Sequence, residues 1–528
     1  MTQTNIFSAV LDQASELPAM LRREARDDEE GELVSALLVE VRKWCAKNVD
    51  GAAIDARGKL GVEMLGSIAE QGWFGLTIPE KLGGAGLSMK AATRVVAELT
   101  RFNGSLGTCV GLHSGLGLFS MIHLAPKGLQ ERYLPEIAAG KRIAAFAATE
   151  PNAGSDIASM RTTLAEEGGK LKLNGSKCYV TNGGLCGLVT VVARSPGLGG
   201  ARAGHTMVAV DPTWKGVNRQ GEEKKLGLKG SSTITIDFED VEVPADHILG
   251  EISKGMDHAH QALTWGRTFM AAGCVGAGVA ALEEARAHTA QRVQFGRPIG
   301  NFPLVREQTA CAMADVYTME SVVRLVCDLY ETKHGDIGLD SAIAKVMASE
   351  GSWDIVDRCL QLMGGTGYIE EAGMARRMRD MRVTRIFEGA NDVLHMHVAS
   401  SVLGWKPDAL KAIPALAPRV NGPHSDAAKG FDLQMQELAE RMIATRAKYG
   451  FKLFDRQVLQ FALAEAMMAV YAQMPVLLRV SRSGDEAEQA TALLACARLR
   501  ERARIWLDRV AAGEDAERSG WVAAMLKE

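Results

Sequence analysis

One carboxylate in this chain stands where a base would be useful. In Arg385-Ile386-Phe387-Glu388-Gly389-Ala390-Asn391-Asp392 it follows two large apolar side chains and precedes a glycine. Burial in a dry pocket would desolvate Glu388 and raise its pKa toward the range where a general base works. A helix-capping acid would look the same. A second segment, Phe146-Ala147-Ala148-Thr149-Glu150-Pro151-Asn152-Ala153-Gly154-Ser155-Asp156, is a small-residue strand opening into a polar loop. Such loops offer N–H groups and hydroxyls to anions or polar rings, although a plain surface turn has the same composition. A third, Asn174-Gly175-Ser176-Lys177-Cys178-Tyr179-Val180-Thr181-Asn182-Gly183, reads as part of a simple hairpin with Asn-Gly turns at both ends. Tyr179 and Thr181, two apart in a strand, would share a face and could touch a planar ligand together.

Other tempting signals carry less. Gly276-Ala277-Gly278-Val279-Ala280-Ala281 fits the dinucleotide fingerprint GxGxxA. That fingerprint has meaning only after a strand, and Thr264–Val275 reads as helix, so close helix packing is expected instead. The pairs His395/His397 and His258/His260 are spaced i, i+2, do not share a helix face, and so argue against a metal. Nine scattered cysteines without a CxxC suggest buried, reduced thiols rather than a disulfide framework or a zinc site.

The elements that must hold these residues follow from texture. The 528 residues leave room for three or four domains at roughly 150 residues each. A net charge of −4 gives no global field for nucleic acid. Met1–Leu21 lacks a basic start and an apolar core, so aqueous cytoplasm is the expected environment. The apolar stretch Gly107–Ala125 is interrupted by His113 and His123 and falls short of a convincing membrane span. Helical spacing dominates 1–143, broken near Pro79–Gly86. Short β-branched runs (Leu171–Leu173, Cys178–Thr181, Val189–Ala193, Thr206–Val210, Ile234–Phe238) make 144–250 a small antiparallel β domain. Helix returns over 251–403, a linker with Pro407, Pro414, Pro418 and Pro423 covers 404–430, and 431–528 is a helical extension.

Taken in order, the three segments, with Arg292-Val293-Gln294-Phe295-Gly296-Arg297-Pro298-Ile299 and Gln361-Leu362-Met363-Gly364-Gly365-Thr366-Gly367, resemble the acyl-CoA dehydrogenase family over about residues 35–402. The resemblance is closest to the long and very-long-chain type with a C-terminal extension. It implies a mainly α, α+β fold: an N-terminal helical domain, a central antiparallel β domain, a C-terminal four-helix bundle and an extra helical domain. It also implies FAD. Phe146, Ala147, Thr149 and Ser155 would line the flavin and its phosphates, Tyr179 would stack on the ring, and Thr181 would bond near N5. Ala390 and Asp392 would lie near the cofactor. Arg292, Gln294, Phe295, Gln361 and Gly365 would hold a neighbouring subunit's FAD, which implies a homo-oligomer, expected as a dimer.

The implied reaction removes the α proton of a fatty acyl-CoA with Glu388 while the β hydrogen leaves as hydride to the flavin. Ser155, Arg267, Phe387 and Gly389 would meet the substrate. Gly117 and Ser120 would leave a groove for a long acyl chain, each buried CH₂ being worth about 0.8 kcal/mol. Gly266 stands where some relatives carry the base and cannot serve. Tyr179 replaces the commoner tryptophan and Ala390 a hydroxyl residue. Electrons would pass to an electron-transferring flavoprotein. The alternatives are a flavin oxidase of the same fold, or a weakly active assembly protein of a respiratory complex. In the extension, Arg441, Arg446, Lys448, Lys452 and Arg456 among Met442, Ile443, Tyr449, Phe451, Leu453 and Phe454 suit peripheral membrane contact. Packing of most of the extension on the catalytic bundle is the favoured reading.

Overall fold

A computed structural model describes residues 24–200, 204–333, 335–404, 415–417, 420, 424–481, 483–513, 521–522 and 524–526. Met1–Leu21 and the four linker prolines lie outside the described residues. The fold is mainly helical with a central sheet, and the chain divides into two compact units.

The first unit comprises residues 26–302 and 348–389. Its helix α1 (Met89–Phe102) is capped by Ser88, whose Oγ accepts the Ala91 N–H at 3.0 Å. Ala92, Val95, Val96 and Leu99 recur at helical spacing and are buried against helix α3 (Gly255–Gln291). Gly276 lies in mid-α3, where a Cβ would collide with the backbone of Ala97. The GxGxxA signal is therefore a close helix–helix approach.

Between them runs helix α2 (Gly104–Leu112), a π-helical turn His113–Gly117 and a helical end Leu118–His123. This run is long and apolar enough to cross a membrane, as is Gln457–Val480, but 83% and 89% of their apolar windows are buried inside the protein. The expectation that the first falls short of a span thus fails on length and composition, and burial explains its apolarity. His113 is fully buried, its Nδ1 accepting the Ala144 N–H at 2.9 Å and its Nε2 lying 2.8 Å from the Phe74 carbonyl. Burial pushes its pKa down to about 4, so the neutral ring donates through Nε2.

Ala144 belongs to strand β1 (Ile143–Ala147) of an eight-stranded sheet. The others are β2 (Thr163–Glu167), β3 (Lys170–Thr181), β4 (Cys186–Arg194), β5 (His205–Val210), β6 (Val217–Glu222), β7 (Thr233–Val243) and β8 (Ile248–Leu249). Their order is β6-β7-β3-β2-β4-β5-β8, with β1 joined to β4. Pairing is antiparallel except for β1 on β4 and one β2–β4 bridge. Leu173, Val189, Val191, Val208, Val210, Ile234 and Ile236 form its core. One expected turn is misplaced. Asn174-Gly175 lies inside β3, where Gly175 has φ 145° because the Thr162 backbone passes where a Cβ would stand. The β2–β3 turn is Gly168-Gly169, both with positive φ. Asn182-Gly183 does end β3, but β3 pairs with β2 and β7, so no β3–β4 hairpin forms.

The second unit contains helices α4 (Pro303–Glu331), the start of α5 (Gly338–Met363), α6 (Asn391–Leu403), α7 (Ser425–Tyr449), α8 (Gln457–Tyr471), α9 (Gln473–Val480) and α10 (Glu486–Ala512). Helix α10 packs on α4, α7, α8 and α9, and α8 packs on α6. Arg498 pairs with Asp315 at 3.1 Å, Arg479 with Glu320 at 2.9 Å, and the Tyr317 hydroxyl donates to Glu488 at 2.9 Å. The extension therefore packs on helices α4 and α6, as favoured. His395 stacks on Phe461 and bonds Glu465 at 2.8 Å, while Arg502 reaches the other carboxylate oxygen of Glu465 at 2.7 Å. All nine cysteines are free, and all but Cys311 are buried.

Candidate active site

The turn that carries Glu388 is strained. After a 3₁₀ turn at Val383–Arg385, Glu388 adopts φ 55° and Gly389 φ 100°. A left-handed residue other than glycine costs about 1–3 kcal/mol and persists where its surroundings dictate it. Here Arg267 supplies the hold. Its Nε donates to the Glu388 carbonyl at 3.1 Å from mid-α3. Burial pulls the Arg267 pKa down, and the nearby Glu388 carboxylate works against that pull. Upstream, Arg385 pairs with Glu350 at 2.8 Å and lies over the Trp353 ring.

Three further residues shape the surroundings of the half-buried Glu388. A Cβ on Gly266 would sit 3.1 Å from Glu388 Oε2 and would collide with the side chain of Leu116. The carboxylate thus fits beside Leu116 only because residue 266 has no side chain. Leu116 comes from the π-helical turn, which is tied to α3 by Trp265, whose Nε1 donates to the Ser114 carbonyl at 3.0 Å. One oxygen of a carboxylate against a buried leucine, with a guanidinium behind its backbone, is a workable proton acceptor for a weak carbon acid.

On the sheet, β3 breaks register with β7 between Lys177 and Val180. At that break Tyr179 takes φ 56° and stands 67% exposed, although its neighbours Cys178 and Val180 are buried. A large ring forced outward from mid-sheet offers its face to a flat partner. The Cys178 N–H donates to the Thr149 carbonyl at 2.9 Å, so the polar loop after β1 adjoins the Tyr179 kink. Thr149 and Thr181 are half-buried and Ser155 is exposed. A ring face beside several hydroxyls fits the flavin that the resemblance implies.

Three family models match consecutive stretches: acyl-CoA dehydrogenase N-terminal domain over 32–141, middle domain over 145–241 and C-terminal domain over 253–403. The bovine mitochondrial very long-chain specific acyl-CoA dehydrogenase is 31% identical over 515 residues, covering 90% of this chain and 77% of that protein. The chain belongs to the acyl-CoA dehydrogenase family. It is accordingly an oxidoreductase acting on CH–CH bonds, and its substrates are fatty acyl-CoA esters. A crystal structure of an acyl-CoA dehydrogenase from Bacillus anthracis complexed with FAD matches with a TM-score of 0.81 at 26% identity, covering 93% of this chain and 90% of that one. Butyryl-CoA dehydrogenase from Megasphaera elsdenii matches with a TM-score of 0.67 at 29% identity, covering 98% of its own chain but 70% of this one.

In this acyl-CoA dehydrogenase the residues expected at the site divide into three groups. Glu388, Gly389 and Arg267 meet, with Phe387 half-buried next to them. Phe146 and Ala147 are buried in β1, and the Ala147 side chain lies in the sheet core, so only its backbone is free to face a ligand. Arg292, Gln294 and Phe295 belong to a tight hairpin, Val293–Gln294 against Arg297–Pro298, with Phe295 93% exposed at its left-handed tip. Gln361, Gly365 and Asp392 are exposed, and Ala390 is half-buried.

A Cβ on Gly117 would lie 2.9 Å from the Ala144 carbonyl, so this glycine packs directly on β1. Ser120 is fully buried. Leu116, Trp265 and the buried pair Glu150–Lys177 were not anticipated. For Lys177 a signal existed: it shares the strand parity of Leu173, which points into the core.

Proposed function

We propose that this acyl-CoA dehydrogenase oxidises the Cα–Cβ bond of long-chain fatty acyl-CoA to the trans-2-enoyl-CoA, with Glu388 as the catalytic base and an electron-transferring flavoprotein as acceptor. The observation that carries this reading is the Glu388 carboxylate, held in a strained turn by Arg267 and flanked by Leu116 and Gly266. Apolar contact on one side and a fixed backbone on the other let Glu388 accept the α proton without reorganising. The protein is an FAD flavoprotein. FAD, when bound, supplies the acceptor for the β hydrogen.

Phe146, Ala147, Thr149, Ser155, Tyr179 and Thr181 would hold the FAD of their own subunit, with Ala390 and Asp392 nearby. The exposed Phe295 hairpin, with Arg292, Gln294, Gln361 and Gly365, would reach the FAD of a second copy, making the enzyme a homodimer. Ser155, Phe387 and Gly389 would line the thioester. Kinship with very long-chain enzymes supports a long acyl chain, independently of Gly117. We place the enzyme in the cytoplasm, with peripheral membrane contact through the exposed Phe451 and its basic neighbours.

The test is anaerobic titration of the purified yellow protein with acyl-CoA of four to eighteen carbons, followed by reoxidation with electron-transferring flavoprotein or with oxygen. Bleaching that strengthens with chain length, and reoxidation by the flavoprotein, are expected. An optimum at four to six carbons overturns the chain-length reading, fast reoxidation by oxygen makes the enzyme an oxidase, and no bleaching makes it a scaffold.

A further inference from the structure

The two cofactor-facing segments, the loop after β1 and the kink at Tyr179, share one buried joint. The Lys177 side chain is wholly buried, and only 2% of the Glu150 side chain is exposed. Lys177 Nζ donates to Glu150 Oε1 at 2.8 Å and to the Ala148 carbonyl at 2.9 Å, and lies 3.7 Å from Met160 Sδ. Glu150 in turn accepts two backbone N–H groups from the far side of its loop, Arg161 at 2.6 Å and Thr162 at 3.0 Å. The intervening loop, mostly exposed, is thereby closed at its base. Lys177 is also the residue at which β3 leaves its register with β7, two positions before Tyr179.

The ion pair is a poor source of stability. Removing two charges from water costs several kcal/mol per ion, and well-packed apolar replacements of buried pairs are often neutral. Burial pushes the Glu150 carboxyl up, but Lys177 and the two amides outweigh it and hold it below the ordinary range. Burial pulls the Lys177 ammonium below its ordinary range, against the Glu150 carboxylate that raises it, and each bond the pair makes ends on one of the two segments. An apolar pair would fill the volume without fixing where Ala148, Arg161 and Thr162 sit.

We infer that Lys177 and Glu150 are positioning residues for the flavin: their buried bonds set the Thr149–Ser155 loop and the Tyr179 kink at the separation that binding requires. The inference rests on the FAD reading above. Its consequence is that loss of the pair weakens flavin binding without a matching loss of fold.

The decisive variant is the double substitution Lys177→Met with Glu150→Leu, which leaves no orphaned charge. Two quantities are read on the full chain stripped of flavin: the thermal midpoint, and the FAD dissociation constant by fluorescence titration. The thermal midpoint is expected to fall by several degrees, since the Arg161 and Thr162 N–H groups lose their acceptor, while the chain stays folded and the dissociation constant rises at least tenfold. Lys177→Arg, which keeps the charge but not the reach, should fold and bind FAD a few-fold more weakly. A double variant with parental FAD affinity overturns the inference, as does a large fall in midpoint with unchanged affinity in Lys177→Arg. Failure of the parent chain itself to bind FAD would instead overturn the cofactor reading, and this inference with it.

Discussion

At the scale of single residues, the site is a matter of what Glu388 touches. The motif Ile386-Phe387-Glu388-Gly389 made a base legible because a carboxylate between apolar residues and a glycine is placed for desolvation. The sequence did not reveal why it sits there. The left-handed turn depends on a bond from Arg267, 121 positions away, and the carboxylate's space depends on Gly266 facing Leu116. Contacts of that separation leave no periodic trace. Glu388→Gln keeps the shape and the turn and removes the proton acceptor, so FAD content should be unchanged while turnover falls by about 10²–10⁴-fold. Rapid single-turnover bleaching by substrate measures this, and near-parental bleaching would transfer the base role elsewhere.

At the scale of elements, strands and helices announced themselves by alternation and by helical spacing, whereas irregularities did not. Asn174-Gly175 is a strong turn signal, yet it occupies mid-strand because Thr162 crowds the position and only glycine tolerates φ 145° there. The π-helical turn at His113–Gly117 left no mark beyond small residues, which read equally as a groove. The difference between the two readings is measurable. Gly117→Ala should press a methyl onto Ala144 and destabilise by about 1–3 kcal/mol, lowering the thermal midpoint while leaving the acyl chain-length profile unchanged in shape. A stable variant that shifted preference to shorter chains would support the groove instead.

Asp340, also at the element scale, joins the extension to helix α5. It is fully buried, accepts the Tyr471 hydroxyl at 2.7 Å, and burial pushes its pKa from 3.8 up to about 7. The folded protein therefore binds this proton more tightly than the unfolded chain does. Its contribution to stability is complete below about pH 3.8 and is lost as pH rises through about 7. An asparagine side chain at this position could still accept the Tyr471 bond but carries no charge. Asp340→Asn should melt above the parent at pH 8, with the gap closing toward pH 5. Parallel melting curves across that range would show that Asp340 does not titrate in the fold.

At the scale of the whole molecule, the question is whether the extension is an accessory or part of the body. Butyryl-CoA dehydrogenase from Megasphaera elsdenii is matched over 98% of its length by 70% of this chain, so the family fold is complete without an extension in that relative. Here the packing argues otherwise. Helix α10 places Arg498 on Asp315 and Glu488 on Tyr317 of α4, α9 places Arg479 on Glu320, and α8 buries Glu465 against His395 of α6. Removing the extension would leave buried polar groups such as Asp340 and His395 without these partners, each costing about 1–3 kcal/mol, and would expose the apolar surface the helices cover. A chain ending at Leu403 should therefore aggregate rather than behave as a compact shorter enzyme, which gel filtration and thermal melting will show. For the same reason truncation cannot test the membrane contact of residues 441–456, since Met442, Thr445 and Leu453 are themselves buried. Phe451, 92% exposed, is the residue to change. Phe451→Ser should leave the fold and the turnover of short acyl-CoA unaltered and reduce co-sedimentation with anionic liposomes at low salt. Unchanged co-sedimentation would leave the extension a packing element alone.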